Sequence, residues 1–177
     1  MEEKLIPKHG GYRDLKSFQN ATIVYDFTVY FCNKHVLDWR LKDQMVHAAR
    51  SGRQNIAEGC QASGTSKKTE IKLVNVARAS LEELLLDYED YLRQRGVDMW
   101  SKENELAKQA CQLAFEENRS YKTYSTYMHD SGEAANVAIC LIHQTNYLLD
   151  RQLKSLQDNF LKDGGFTERL YNQRKLK

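Results

Sequence analysis

Proline occurs once in 177 residues, as Pro7, so the chain has almost no obligatory helix breaker beyond its first few positions. That scarcity favours long helices. No run of 18 or more apolar residues exists, and the opening MEEKLIPKHGGYRD lacks the apolar segment of a signal peptide. A cytoplasmic protein with no membrane partner is expected. The four cysteines, Cys32, Cys60, Cys111 and Cys140, follow no CxxC spacing, and free, mostly buried thiols are expected of them. The spacings of a catalytic or metal centre are missing too. No glutamate is followed by histidine three residues on, and the five histidines form neither HxxxH nor HExxH. No nucleophile elbow or glycine-rich phosphate loop occurs, and SGTSKKTE lacks the GxxxxGK[ST] order. These absences argue against an enzyme, a metal site and a cofactor.

What is present is an ordinary globular balance, 41% hydrophobic and 28% charged residues, with a formal net charge of only +2. The small sum conceals a gradient. Trp39 to Arg78 holds eight Lys/Arg against three Asp/Glu, whereas Ala79 to Gly165 holds nine against fifteen. Such asymmetry concerns surfaces and partners, not the fold.

Residues 1–13, with Pro7 and the Gly10-Gly11 pair, read as a flexible leader, and order is expected from near Asp14. Leu15, Phe18, Thr22, Tyr25, Val29, Cys32 and Val36 then step by three and four, the spacing of one helix face. A second helix is predicted from about Asp38 to Glu58. Its buried stripe, Leu41, Met45, Ala48, Ala49, Gly52, Ile56 and Gly59, narrows to small side chains at the middle. Close approach of a neighbouring helix would offset the roughly 1 kcal/mol that an interior glycine costs. Gly59 is expected to close this helix in a left-handed conformation. Ser66 or Thr65 is expected to cap a third helix over Lys67 to Arg95, ended by Gly96.

Between residues 97 and 130 the pattern weakens to a short helix capped by Ser101 and a loop, NRSYKTYSTYMHDSG, whose tyrosines are expected to pack on the rest of the chain. Base stacking by Tyr121, Tyr124 and Tyr127 is the lesser reading. A last long helix is predicted over about Gly132 to Lys162, followed by a frayed basic tail from residue 164 to 177. The resulting expectation is an all-α, up-and-down four-helix bundle over 14–163, with the segment 97–130 inserted before the last long helix. Apolar residues also spread beside the main stripes, at Ile23, Phe27, Tyr30, Leu141 and Leu148. An arc that wide suggests burial against further copies of the chain, a homo-oligomer.

Arg40, Arg50, Arg53, Lys67, Lys68 and Lys72 make up most of the basic segment, and they are the candidates for contacting RNA or DNA phosphates. Asn55 and Glu58 lie on the shoulder of the small-residue stripe, and Arg78 interrupts an apolar row one helix later. These three are expected to form a polar cluster bonded across to another helix or subunit. A scaffold that recognises only protein is the alternative to nucleic-acid binding.

The segments YRDLKSFQNA, Arg50-Ser51 followed by NIAEG, and LVNVARASLEELLLDY resemble the four-helix-bundle family that includes proteins encoded in 23S rRNA intervening sequences and the accessory protein of diversity-generating retroelements. QMVHAARSGRQNIAEG, LLLDYEDYLRQRG and HQTNYLLDRQLKSLQDNFLKDGGF are similar to its longer "four helix bundle suffix" subgroup. The resemblance implies a ring-shaped homopentamer, a basic surface for nucleic acid, and a nucleic-acid-processing enzyme as a partner. It directs attention to Arg50, Arg53, Asn55 and Glu58, and it supplies no catalytic residue. Gly52-Arg53-Gln54 departs from the Ile-Pro-Ser common in shorter relatives, and residues 97–130 are additional.

Overall fold

The computed structural model describes residues 9–175, which are helical or in turns without any strand. Residues 1–8 of the expected leader, and Leu176 and Lys177 of the expected tail, lie outside the described residues. In chain order the helices are α1 (Lys16–His35), α2 (Trp39–Ala62), α3 (Lys67–Gln94), α4 (Glu105–Gln112), α5 (Ser131–Asp163) and α6 (Phe166–Lys175). The long helices follow one another around a four-sided bundle: α1 packs on α2, α2 on α3, α3 on α5, and α5 back on α1.

Short polar side chains start these helices. An Asp38 carboxylate oxygen accepts from the Arg40 and Leu41 amides at 2.8 and 3.0 Å, and the Ser66 hydroxyl accepts from the Thr69 amide at 3.1 Å. Gly96, at φ 64°, ends α3 as expected, with the Val97 amide donating to the Leu92 carbonyl and the Gly96 amide to that of Arg93.

Three boundaries differ from the sequence reading. Gly59 does not close α2, which runs on to Ala62; a Cβ there would lie 3.3 Å from both the Glu70 carbonyl oxygen and Leu73 Cβ. It is a close-approach glycine, and the pattern that looked like an ending was a contact with α3. Asn104, not Ser101, caps α4, its side chain accepting from the Leu106 and Ala107 amides. The tail is not frayed over the described residues, because Phe166–Lys175 is helical and Glu168 accepts from the Gly165 amide at 2.8 Å.

Inside, Phe31 meets Tyr88 and Tyr91 edge-on at 4.9 Å each, and the fully buried Tyr88 donates its hydroxyl hydrogen to Thr28 at 3.1 Å. Leu81, Leu84, Ile56, Met45, Ile142 and Leu149 fill the space around them. All four cysteines are free; Cys32 and Cys60 are buried, while Cys111 and Cys140 are half-buried. Burial pushes the Cys32 thiol up to about 12, and burial next to Cys111 does the same to Cys140.

The segment between α3 and α5 is clamped onto the bundle. Buried Asn136 accepts from the Trp100 amide at 2.7 Å and donates to the carbonyls of Asp98 and Gly132. Lys34 donates to the Met128 carbonyl at 3.0 Å. A 3-10 turn over Tyr121–Tyr127 lays Tyr124 against Phe27 and reaches both α1 and α5. Tyr124 and Tyr127 are buried, so their packing holds and no ring face of either is offered to a base. Ile23, Phe27 and Leu141 are likewise buried within the one chain. Of the wide apolar arc that suggested an oligomer, Phe27 meets Tyr124 and Tyr30 meets Tyr121 of the insertion, while Tyr30 and Leu148 stay half-buried.

Candidate nucleic-acid interface

The two sides of α2 differ in the size and charge of their residues. Gly52 and Gly59 face α3, where a Cβ on Gly52 would lie 2.8 Å from Leu81 Cγ. The Ser51 and Ser80 hydroxyls meet across this contact at 3.0 Å. Bringing the backbones so close leaves the opposite side of α2, with Arg40, Asp43, His47 and Arg50, in solvent.

Arg40, Arg50, Lys68 and Lys72 are exposed and Arg53 is half-buried, and none of these five makes an ion pair among the described residues. Arg40 instead stacks on Trp39 at 5.5 Å, and Arg53 on Tyr25 at 4.2 Å. Lys67 is partly neutralised, its ammonium lying 3.0 Å from the Glu70 carboxylate. Gly52 is level with Ala77 and Leu81, and Gly59 with Glu70 and Val74, so α2 and α3 run antiparallel. At about 1.5 Å of rise per residue, the cations are strung from Arg40 past Arg50 and Arg53 to Lys72 and Lys68 over about 35 Å. They form a strip, not a cluster, with Asp43 and Glu58 as the acidic residues along α2.

The expected polar cluster of Asn55, Glu58 and Arg78 does not form within the chain. Asn55 donates to the Ser51 carbonyl at 2.9 Å and to the Ser51 hydroxyl at 3.1 Å, bracing the Ser51–Ser80 contact. Glu58 is exposed. Arg78 pairs with Glu82 and, across to α5, with Asp150 at 3.2 Å. The reason is angular: Ala77 and Leu81 take the side of α3 that faces α2, and Arg78 follows Ala77 by a further 100° or so.

Ser51 and Ser80 were not singled out by sequence reasoning, although Ser51 sits in the quoted Arg50-Ser51 motif. Their signal was only that both are small polar residues beside a small-residue stripe. Half-buried aromatics on α1, Tyr25 and Tyr30, were also absorbed into apolar stripes, since helical periodicity cannot tell a covered ring from an accessible one. Among the described residues no group of three or more His, Cys, Asp or Glu is placed to hold a metal ion, and no helix is long and apolar enough to cross a membrane.

No curated protein and no solved structure matches this chain. Residues 15–89 do match the family model described as 23S rRNA-intervening sequence protein. The match takes in α1, α2 and most of α3, and with them the glycine contact, the Ser51–Ser80 pair and the cationic strip. Over these three helices the chain is similar to the 23S rRNA-intervening sequence protein family.

Proposed function

We propose that this chain is a non-enzymatic bundle that binds RNA or DNA along the cationic strip of α2 and the first turns of α3, as an accessory to a nucleic-acid-processing enzyme. The observation that carries the reading is the lack of acid partners, among the described residues, for Arg40, Arg50, Arg53, Lys68 and Lys72. Cations left unpaired by their own chain are free to neutralise phosphates and release counterions. A strip about 35 Å long spans on the order of ten phosphates along one strand at about 3.4 Å each. Assembly of copies, which the family resemblance implies, would repeat the strip and multiply its field.

The test is binding of labelled RNA and DNA as a function of salt. The logarithm of affinity is expected to fall linearly with that of salt concentration, by about 0.9 per neutralised phosphate in duplex DNA. Arg50→Glu with Arg53→Glu is expected to abolish binding, and affinity indifferent to both salt and this double reversal rejects the proposal. Protein recognition is the second reading, favoured by the exposed Leu86 on α3 and Tyr147 on α5. Partners retrieved equally well after nuclease treatment and by the double reversal variant would support it.

A further inference from the structure

The outward edge of α1 carries a groove that the strip of cations does not use. Tyr25, Asp26, Val29, Tyr30 and Asn33 recur at one-turn intervals and, with Tyr121 from the insertion, line a cavity of about 440 Å³. That volume lies within the usual range of ligand sites, about 300–1,000 Å³. The Tyr30 and Tyr121 rings have centroids 6.1 Å apart and planes inclined by 37°, which makes an open wedge and not a closed stack. At one side the Arg53 guanidinium lies 4.2 Å from the Tyr25 centroid, and at the other the Lys34 ammonium lies 5.7 Å from that of Tyr30. The side chains of Asp26 and Asn33 make no hydrogen bond, ion pair or ring contact among the described residues.

We infer that this groove is a base-stacking site for single-stranded nucleic acid, with the Tyr30 and Tyr121 rings and the Arg53 guanidinium held on Tyr25 as its platforms, Arg53 also joining it to the cationic strip. The inference rests on the nucleic-acid reading above and names the form of the ligand. A duplex hides the faces of its bases, so half-buried rings and a stacked guanidinium lining one groove suit only a strand whose bases are unstacked. Arg53 belongs to both features: its planar guanidinium covers the Tyr25 face, presents its own plane to a base and carries charge for a phosphate. Asp26 fixes which part of the strand enters. Its carboxylate repels phosphate but accepts hydrogen from an exocyclic amine, which cytosine and adenine carry and thymine and uracil lack. Bases therefore occupy the groove while the backbone follows the arginines outside.

The experiment is a set of anisotropy titrations of the full chain with short labelled oligo-dC, oligo-dT and a mixed-sequence duplex. Tyr25→Ala and Tyr30→Ala are each expected to weaken single-strand binding by about five- to a hundredfold, within the range for loss of one base stack, with duplex binding changed less than about twofold. Tyr30→Phe keeps the ring and stays near native affinity, which separates stacking from a folding defect. Asp26→Asn is expected to remove a preference for dC over dT. Ring variants that bind single strands like the native chain, while Arg50→Glu with Arg53→Glu still abolishes binding, overturn the groove and leave the cationic strip standing. No binding of any oligonucleotide by the native chain takes both away. A changed sedimentation mass of the unliganded Tyr25→Ala variant makes the groove a contact between copies and also overturns the inference.

Discussion

Along the α2–α3 seam two helices touch almost backbone to backbone, through Gly52, Gly59 and Ala77, with the Ser51–Ser80 pair between them. At the α1–α5 seam the two helices pack on one another and the connecting turn over Tyr121–Tyr127 adds to both, with Tyr124 lying against Phe27. The two seams bury apolar surface by opposite means, subtraction of side chains in one and addition of a segment in the other. Subtraction leaves α2 a thin helix with its long cationic residues turned outward. Addition lays Tyr124 against Phe27 and leaves a groove lined by Tyr121 beside α1.

If the insertion is part of the core and not an ornament, Tyr124→Ala should be the most damaging of the simple changes. Loss of a fully buried ring typically costs about 3–5 kcal/mol, and denaturant unfolding monitored by circular dichroism would read it. A loss below about 1 kcal/mol would break the comparison, because the added segment would then contribute little to closing its seam.

The subtractive seam is tested by Gly52→Ala. Alanine gains about 1 kcal/mol in helix propensity, but its Cβ at 2.8 Å from Leu81 Cγ and Cδ2 must push a packed leucine aside. Overpacking of this kind costs about 1–3 kcal/mol, so a net loss in the same unfolding assay is expected. A more stable variant would show that the contact has slack and that the glycine is not there for close approach.

The smallest effect concerns α3 beyond the seam. Partial burial, then the neighbouring Glu83 and Asp90 carboxylates, push Asp87 up from 3.8 to about 6. The folded state thus holds this proton more tightly than the unfolded chain does. The favourable contribution is complete below about pH 4 and is lost as pH rises through about 6, the folded value. Asp87→Asn should flatten that part of the stability profile and leave the variant more stable at neutral pH by about 1 kcal/mol, after allowance for solvent screening. Parallel profiles for variant and native protein would rule the shift out.

Helix existence and the inward stripes were legible because they depend on periodicity, which survives without knowledge of neighbours: Ala48, Gly52 and Ile56 read as buried from spacing alone. The excess of positive charge was legible as a count, but that Arg40 stacks on Trp39 and leaves Asp43, three residues on, without an ion pair among the described residues was not. Gly59 misled because glycine serves two purposes, ending a helix or admitting a neighbour, and only the position of Glu70 and Leu73 distinguishes them. Arg78 misled for a related reason. Its row on α3 was read correctly as a face, but which helix that face meets is not a property of one helix.

By itself the sequence determined the elements: four long amphipathic helices, their caps at Ser66 and Gly96, and the excess of positive charge between residues 39 and 78. These follow from interactions within a few turns of chain. The tertiary structure alone decided that Arg78 joins Asp150, that Tyr124 packs on Phe27 of α1, and that Tyr25, Tyr30 and Tyr121 share one groove beside Arg53. Partners dozens of residues apart are selected by how the faces dock, and docking depends on shape and volume summed over all helices at once.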